Sequence, residues 1–317
     1  MSVDSSEVRD LVVAVRSGNP RALGRLISWI ENGSPALPMI SKELAADTGR
    51  AHVIGLTGAP GVGKSTTATS LVRALRARGE RVGVLAVDPS SPFSGGALLG
   101  DRVRMQEHAI DSDVYIRSMA TRGHLGGLAV ATPQALRAFD AAGFDTVMVE
   151  TVGVGQSELE VAGTADTILV LMAPGMGDGI QAAKAGILEI GDIYVVNKSD
   201  REGAQALVRE LRTMIALTDR GPHDWKPPIV MIVASEHRGI QDLLEAIDRF
   251  RAWQSDTGHG QQRRIARARR EIESIALAKL RAEFQLNGET SLDDLAEAVS
   301  RGEVDPYTAA DKVLIGL

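Results

Sequence analysis

The feature that most constrains the fold of this chain is a glycine-rich loop between an apolar strand and a helical segment. The strand is His52 to Thr57, and the loop reads Gly58-Ala59-Pro60-Gly61-Val62-Gly63-Lys64-Ser65. The N–H groups of such a loop turn inward and the following helix adds its dipole, so the loop can cradle phosphate oxygens. We predict that Lys64 contacts the β- and γ-phosphates, that Ser65 coordinates Mg²⁺ and that Thr66 contacts the α-phosphate.

Short β-branched runs alternate with helical segments between His52 and Trp253, a pattern typical of a mostly parallel sheet flanked by helices. Together with the glycine-rich loop, this pattern predicts an α/β fold of the P-loop NTPase class. The predicted strands are His52 to Thr57, Arg81 to Val87, Val114 to Arg117, Thr146 to Glu150, Thr167 to Leu171, Ile193 to Asn197 and Ile229 to Val233.

Helical extensions are predicted at both ends of this core. Apolar residues recur at helical spacing from Glu7 to Ile30, with a break at Gly18-Asn19-Pro20, and a further helix follows Pro38. We interpret the polar stretch 254–260 as a linker. The predicted C-terminal helices are Gln261 to Phe284, Ser291 to Ser300 and Pro306 to Ile315. The chain is therefore divided into an N-terminal helical extension (1–50), a P-loop domain (51–254) and a C-terminal helical arm (255–317).

The composition argues against several classes of function. The 317 residues carry a formal charge of −6, so we expect no nucleic-acid partner. The sequence contains no cysteine, which excludes disulfides and thiolate metal sites. The first fifteen residues lack the features of a signal peptide, and no apolar run approaches the ~20 residues of a membrane span. We therefore expect a cytoplasmic protein with no membrane partner.

Three acidic residues are candidates to hold Mg²⁺ beside the loop. Asp88 and Glu150 each end an apolar strand, and Asp101 lies in a long connection rich in glycine and serine. The alternative for each is an exposed carboxylate at the end of a strand. Gly153 follows Glu150 by three residues, the spacing of a glycine whose N–H contacts the γ-phosphate, and this favours the metal-binding interpretation.

A second motif indicates which base is bound. The apolar run before Asn197-Lys198-Ser199-Asp200 places these residues at the carboxyl end of a strand, where open α/β sheets bind ligands. Asp200 can accept hydrogen bonds from N1–H and the 2-amino group of guanine, which adenine does not offer in that arrangement. Lys198 can lie along the base, and Asn197 can tie neighbouring loops together. Ser235 and Glu236 follow the last strand, where a backbone contact to guanine O6 is expected.

These motifs together resemble the MeaB/ArgK family of GTPases, the bacterial counterparts of the human methylmalonic aciduria type A protein. The resemblance extends beyond the elements that GTPases share. It includes four further segments, Asp88 to Met105, Ser118 to Leu128, Glu150 to Glu158 and Ala173 to Ile187.

The resemblance implies a homodimeric GTPase that associates with adenosylcobalamin-dependent methylmalonyl-CoA mutase. In that role it gates cofactor loading and protects or reactivates the mutase, with a cobalamin adenosyltransferase as a further partner. The family's Mg²⁺ and catalytic network maps onto Ser65, Asp88, Asp101 and Glu150, with Lys64 on the phosphates. Loops matching Gly175 to Lys184 couple the nucleotide state to the partner, and the arm 255–317 is implied to form the dimer.

One position departs from a Ras-like mechanism. Val154 follows Gly153, so the glutamine that normally orients the attacking water is absent there, and the water-positioning role is not transferred to Gln156. We therefore expect slow intrinsic hydrolysis. The hypothesis is that partner binding moves the long first switch, Asp88 to Met105, and the loop with Asp178 and Lys184, and thereby completes the site.

Other interpretations make different demands on the sequence. A nickel or cobalt metallochaperone GTPase would need clustered cysteine and histidine ligands, whereas the six histidines are scattered. An ATP-dependent kinase or ATPase does not fit Asp200. A nucleic-acid-binding or scaffold protein would use the basic run Arg263 to Arg270, but such a run is typical of a solvated helix face. A stripe of apolar residues, Ile265, Ile272, Ile275, Ala276 and Leu280, would suit a partner helix. The N-terminal helices either cover the core or dock a partner.

Overall fold

The computed structural model describes residues 4–89, 111–121, 127–151, 163–175, 190–218, 220–221, 223–286 and 292–315. Its centre is a sheet of seven described strands, all parallel, in the order β3-β2-β4-β1-β5-β6-β7. The strands are β1 (His52–Thr57), β2 (Val82–Pro89), β3 (Val114–Thr121), β4 (Thr146–Thr151), β5 (Thr167–Met172), β6 (Ile193–Val196) and β7 (Ile229–Met231). The predicted α/β class with a parallel sheet is confirmed.

Strand β1 lies in the middle of the sheet, between β4 and β5. Leu56 stands opposite Glu150 on one side and Leu169 on the other. Because all strands run the same way, their carboxyl ends meet at one edge of the sheet. The glycine-rich loop therefore leaves the sheet at the centre of this edge.

Helices cover both faces of the sheet and extend beyond it. They are α1 (Ser5–Arg16), α2 (Pro20–Glu31), α3 (Leu37–Leu44), α4 (Lys64–Ala77), α5 (Gly127–Ala141), α6 (Ala204–Leu217), α7 (Ile240–Thr257), α8 (His259–Leu286), α9 (Leu292–Ser300) and α10 (Pro306–Ile315). Two N-terminal helices begin at side-chain caps that the sequence signals well: Asp4 accepts from the N–H of Ser6, and Asn19 from those of Arg21 and Ala22.

The two faces of the sheet carry separate apolar cores. On one face, α1, α2 and α3 pack with α5, while α6 packs against β6 and β7. Ile27, Phe139 and Val147 are all fully buried there. On the other face, α4 and α7 cover the sheet through residues such as Leu71 and Leu243. The N-terminal helices thus share a core with the sheet, as expected if their apolar stripes cover it.

Helix α8 contacts the body of the protein mainly through charged side chains. Arg263 makes a bidentate ion pair with Asp192 at 2.7 and 2.9 Å, Arg267 pairs with Asp166, and Glu271 pairs with Arg137 at 2.6 Å. The three α8 residues recur every four positions, so they lie on one face of the helix. This arrangement leaves the opposite face of α8 to carry its apolar residues.

The polar stretch 254–260, predicted to be a linker, is helical except at one residue. Helix α7 continues to Thr257, Gly258 adopts φ 71° as a left-handed cap, and α8 begins at His259. Gln254 is buried, and its side-chain amide donates to the carbonyl oxygen of Asp166. The polarity of this stretch predicted a loop, but its residues belong to the end of α7 and the start of α8. No helix among the described residues is long and apolar enough to cross a membrane.

Candidate nucleotide-binding site

The phosphate loop depends on glycines whose backbone angles other residues rarely adopt. Gly58 has φ 141° and Gly63 has φ 98°. A β-carbon on Gly58 would collide with the carbonyl oxygen of Leu171, and one on Gly63 would collide with the side-chain amide of Asn197. The Gly63 position therefore has a reason visible only in three dimensions, since it lets Asn197 approach the loop.

The ammonium group of Lys64 contacts the first residues of this loop. Lys64 begins α4, and its Nζ donates to the carbonyl oxygens of Gly58 at 2.5 Å and Ala59 at 3.3 Å. The side chain is buried. A positive charge at the amino end of a helix, where the first N–H groups have no partner within the helix, is suited to binding phosphate.

The next residue, Ser65, contacts an acidic residue from another strand. Its Oγ donates to Oε1 of Glu150 across 2.7 Å, and Glu150 is only 2% exposed. Glu150 lies near the end of β4, the strand beside β1, which places its carboxylate next to the start of α4. Hydroxyl and carboxylate oxygens are the donors that Mg²⁺ prefers, so this pair fits the predicted metal site.

Other residues predicted for the metal and phosphate site are only partly covered by the described residues. The backbone of Asp88 lies near the end of β2, opposite Ala120 of β3, and its side chain is outside the described part. Asp101 and Gly153 are outside it as well, as are Val154 and Gln156. The predicted switch segments are covered only at their ends.

Asn197 joins the loops predicted to hold the phosphates and the base. Its Nδ2 donates to the carbonyl oxygen of Val62 at 2.8 Å, and its Oδ1 accepts from the N–H groups of Lys198 at 2.8 Å and Ala234 at 3.0 Å. Asn197 is 3% exposed, and both polar atoms of its side-chain amide make these hydrogen bonds. A buried amide with these partners fixes three loops relative to one another.

Lys198 and Asp200 lie on the open side of this junction. Lys198 has φ 56°, an uncommon value for a non-glycine residue, and its Nζ donates to the carbonyl oxygen of Gly61 at 2.7 Å. Its stem thus runs between the base motif and the phosphate loop. Asp200 is exposed, so its carboxylate is accessible to a ligand.

Ser235 and Glu236 lie in a tight turn after β7. The residues Ala234–Glu236 form a short 3-10 helix, and Glu236 makes an exposed ion pair with Arg238. The turn is also held by a residue that the sequence did not single out, because Ser70 of α4 donates from its Oγ to the carbonyl oxygen of Ala234 at 2.7 Å. A serine in a helix carries no local signal of such a distant contact.

The residues of the candidate site that the structure describes thus lie together at the carboxyl edge of the sheet. The loop with Lys64, the Ser65–Glu150 pair and the turn at Ser235 all adjoin the junction built by Asn197. One side of this junction offers cationic and N–H groups suited to phosphates, and the other offers Asp200 and a backbone turn suited to a purine base.

Comparisons with known proteins agree with this geometry. The model of the methylmalonyl-CoA mutase-associated GTPase MeaB family matches residues 23–289. A GTPase of Pyrococcus abyssi is 42% identical over 97% of this chain and 96% of its own length. GTPase ArgK of Escherichia coli is 34% identical over 82% of this chain and 81% of its own.

A solved structure supports the same assignment at the level of the fold. The crystal structure of a LAO/AO transport system kinase aligns with a TM-score of 0.74 at 25% identity, covering 99% of this chain and 98% of that one. The family model matches most of the chain, and these relatives are similar to it along most of its length. The two findings together establish the family. The chain belongs to the MeaB family of GTPases.

Proposed function

We propose that this chain is a Mg²⁺-dependent GTP-hydrolysing chaperone of adenosylcobalamin-dependent methylmalonyl-CoA mutase. It gates loading of the cofactor and protects or reactivates the mutase, with a cobalamin adenosyltransferase as a further partner. The observation that carries the nucleotide assignment is the buried junction at Asn197 between the phosphate loop and the base motif. The description of the matching family supports the choice of partner.

The residues of the phosphate side divide the work of phosphoryl transfer. Lys64 offsets charge on the β- and γ-phosphates, and the N–H groups of residues 61–65 orient their oxygens. Ser65 and Glu150 would hold Mg²⁺, together with Asp88 and Asp101. When bound, Mg²⁺ neutralises the charge that develops on the phosphate oxygens. Gly153 supplies an N–H for the γ-phosphate.

The base side accounts for guanine selectivity. Asp200 accepts hydrogen bonds from N1–H and the 2-amino group of guanine, and the N–H of Ser235 donates to O6. The stem of Lys198 covers the base while its ammonium group holds Gly61. Adenine offers neither the N1–H donor nor the O6 acceptor, so the same groups reject it.

Hydrolysis is slow in the free protein and faster in the complex with the mutase. Val154 stands where a water-orienting glutamine would be, so the free site lacks that group. Partner binding moves the first switch and the loop with Asp178 and Lys184, and this motion completes the site. The mutase thereby controls the lifetime of the GTP state.

The homodimer forms through the outer face of α8, in the arm 255–317. Ile265 is 60% exposed, Ile272 is 68% exposed and Leu280 is 38% exposed, while the ion pairs of α8 face the body. An apolar stripe turned outward on a helix more than seven turns long gives a second copy a continuous surface. Residues 51–254 form the GTPase domain and residues 1–50 its helical extension.

A capture experiment tests the partner and the switch together. Tagged protein would be mixed with methylmalonyl-CoA mutase in the presence of a non-hydrolysable GTP analogue, GDP or no nucleotide. We expect the amount of captured mutase to depend on the nucleotide, and Lys64→Ala to abolish that dependence. An exposed change on α7, Glu245→Gln, serves as the matched control. Equal or absent capture in all three conditions would leave only the GTPase activity standing.

A further inference from the structure

We propose that His237 is a positioning residue for the base-reading turn, through a chain of hydrogen bonds that begins at Arg73 and ends at Ala234. The inference rests on the proposed guanine site and adds a specificity determinant to it. His237 follows directly after the turn Ala234–Glu236, and Arg73 lies on α4, the helix that begins at Lys64.

The four groups of this chain lie within hydrogen-bond distance of one another. Arg73 Nη1 is 3.1 Å from His237 Nε2, His237 Nδ1 is 3.0 Å from Ser70 Oγ, and Ser70 Oγ is 2.7 Å from the carbonyl oxygen of Ala234. Ser70 is fully buried under the turn, while Arg73 and His237 lie on the surface. The chain therefore runs from solvent into the core.

Hydrogen-bond chemistry fixes the direction of every bond in the chain. A guanidinium only donates, so Nε2 of His237 accepts from Arg73. The remaining proton of a neutral imidazole is then on Nδ1, which donates to Ser70 Oγ. Because the carbonyl of Ala234 only accepts, the hydroxyl of Ser70 donates to it. One tautomer of a neutral histidine satisfies all three bonds.

The end of this chain is the peptide next to the group that reads the base. The carbonyl of Ala234 also accepts from the N–H of His237 at 3.2 Å, and the N–H of Ala234 is bound to Asn197. Ala234 is thus held on both its polar groups. The next N–H along the backbone belongs to Ser235. It lies in the same peptide group as the Ala234 carbonyl, so its direction follows from the orientation of that peptide.

The backbone of His237 explains why a histidine can stand here. Its φ is 55°, in the left-handed region where asparagine, aspartate and histidine are the non-glycine residues most often found. The left-handed residue ends the short 3-10 helix and lets Val233 pair with Arg238. The same geometry turns the imidazole back toward α4, and so links this helix to the turn Ala234–Glu236.

The test is a comparison of base selectivity by calorimetry, with GDP, IDP and ADP as ligands and Mg²⁺ present. IDP keeps the O6 acceptor of guanine and ADP lacks it. The variants are Arg73→Ala, His237→Asn, which keeps a residue that tolerates φ 55°, and the double variant. Arg73→Lys retains a donor and serves as the rescue control.

We expect each single variant to weaken GDP and IDP by the same factor of about 5, the worth of one net hydrogen bond, and to leave ADP unchanged. The double variant should lose no more than either single variant, because both break one chain. Arg73→Lys should bind GDP nearly as well as the wild type does. Arg73 is exposed, so its replacement does not threaten folding.

Two results separate failure of this inference from failure of the proposed site. If the wild type prefers GDP to ADP but the variants weaken all three nucleotides equally, or if the two single losses add, His237 has no positioning role. If the wild type itself does not discriminate GDP from ADP, the guanine site is wrong and the inference falls with it.

Discussion

Ser65 and Glu150 are 85 residues apart in the sequence and in direct contact, with Ser65 Oγ donating to Glu150 Oε1 at 2.7 Å. The contact joins the first turn of α4 to the end of β4. It exists because β4 is the immediate neighbour of β1 in the sheet, although β2 and β3 lie between them in the sequence. In the proposed function these two side chains hold Mg²⁺ beside the phosphates.

Replacing Glu150 by glutamine tests this role with little change of shape. The amide of Glu150→Gln can still accept from Ser65, so what is lost is the negative charge. We expect kcat for GTP hydrolysis to fall by about 10- to 100-fold and the Mg²⁺ concentration for half-maximal rate to rise. Glu245→Gln makes the same change on the surface of α7. An unaltered Mg²⁺ dependence in Glu150→Gln would remove this residue from the metal site.

Asn197 is predicted to matter for both stability and nucleotide affinity. In Asn197→Asp the donor to Val62 is lost and a carboxylate oxygen faces that carbonyl group instead. We expect a loss of about 1–3 kcal/mol in the free energy of unfolding, measured with denaturant, and weaker GDP binding by calorimetry. Gln241→Glu, an exposed amide-to-carboxylate change, is the control. Wild-type stability together with wild-type GDP affinity would show that the junction is dispensable.

Much of the fold follows from the sequence because short-range patterns determine it. Strand β1 occupies the predicted residues, since an apolar β-branched run there is bounded by turn signals. Strand β7 ends at Met231, earlier than predicted, because Val233 pairs with Arg238 across the turn Ala234–Glu236. The prediction that 254–260 is a linker was wrong, because two helices run through this stretch and meet at Gly258.

The parts of the candidate site that lie in contiguous motifs could be predicted from the sequence. The parts that depend on contacts between distant residues could not. The loop at Lys64 and the motif at Asn197 are contiguous strings with a physical rationale. The contact of Ser70 with Ala234 spans 164 residues and depends on which side of α4 faces the turn. No periodicity in the sequence distinguishes Ser70 from any other small polar residue in a helix.

The outer face of α8 should control the oligomeric state. We expect the wild type, whose chain mass is 33.6 kDa, to show twice that mass in light scattering at micromolar concentration. Ile272→Glu places a charge on the proposed interface and should give the mass of one chain. Its neighbour Glu273→Gln should remain dimeric. A wild type that is monomeric at this concentration would contradict the proposed dimer.

Stability should depend on pH through His52 at the start of β1. Burial lowers the pKa of His52 from 6.5 to about 4, and its Nε2 lies 2.9 Å from Thr167 Oγ1. As the pH falls below 6.5 the unfolded chain takes up this proton first, so stability is lost progressively down to pH 4. The loss attributable to this group is about 3 kcal/mol, from 1.4 kcal/mol per pH unit.

The comparison is with His52→Gln, which keeps a donor for Thr167 and does not titrate. Denaturant unfolding at several pH values should show that the wild type loses more stability than the variant between pH 6.5 and pH 4. Above pH 7 the two curves should run parallel. Parallel curves over the whole range would mean that the pKa of His52 is not lowered in the folded state.

Single-turnover GTP hydrolysis with and without methylmalonyl-CoA mutase tests whether the protein is a slow nucleotide switch controlled by its partner. We expect slow hydrolysis by the free protein and a rise of at least about tenfold with the mutase, equivalent to 1.4 kcal/mol of activation free energy. Rapid hydrolysis by the free protein that does not change on adding the mutase would show that the mutase does not control the switch.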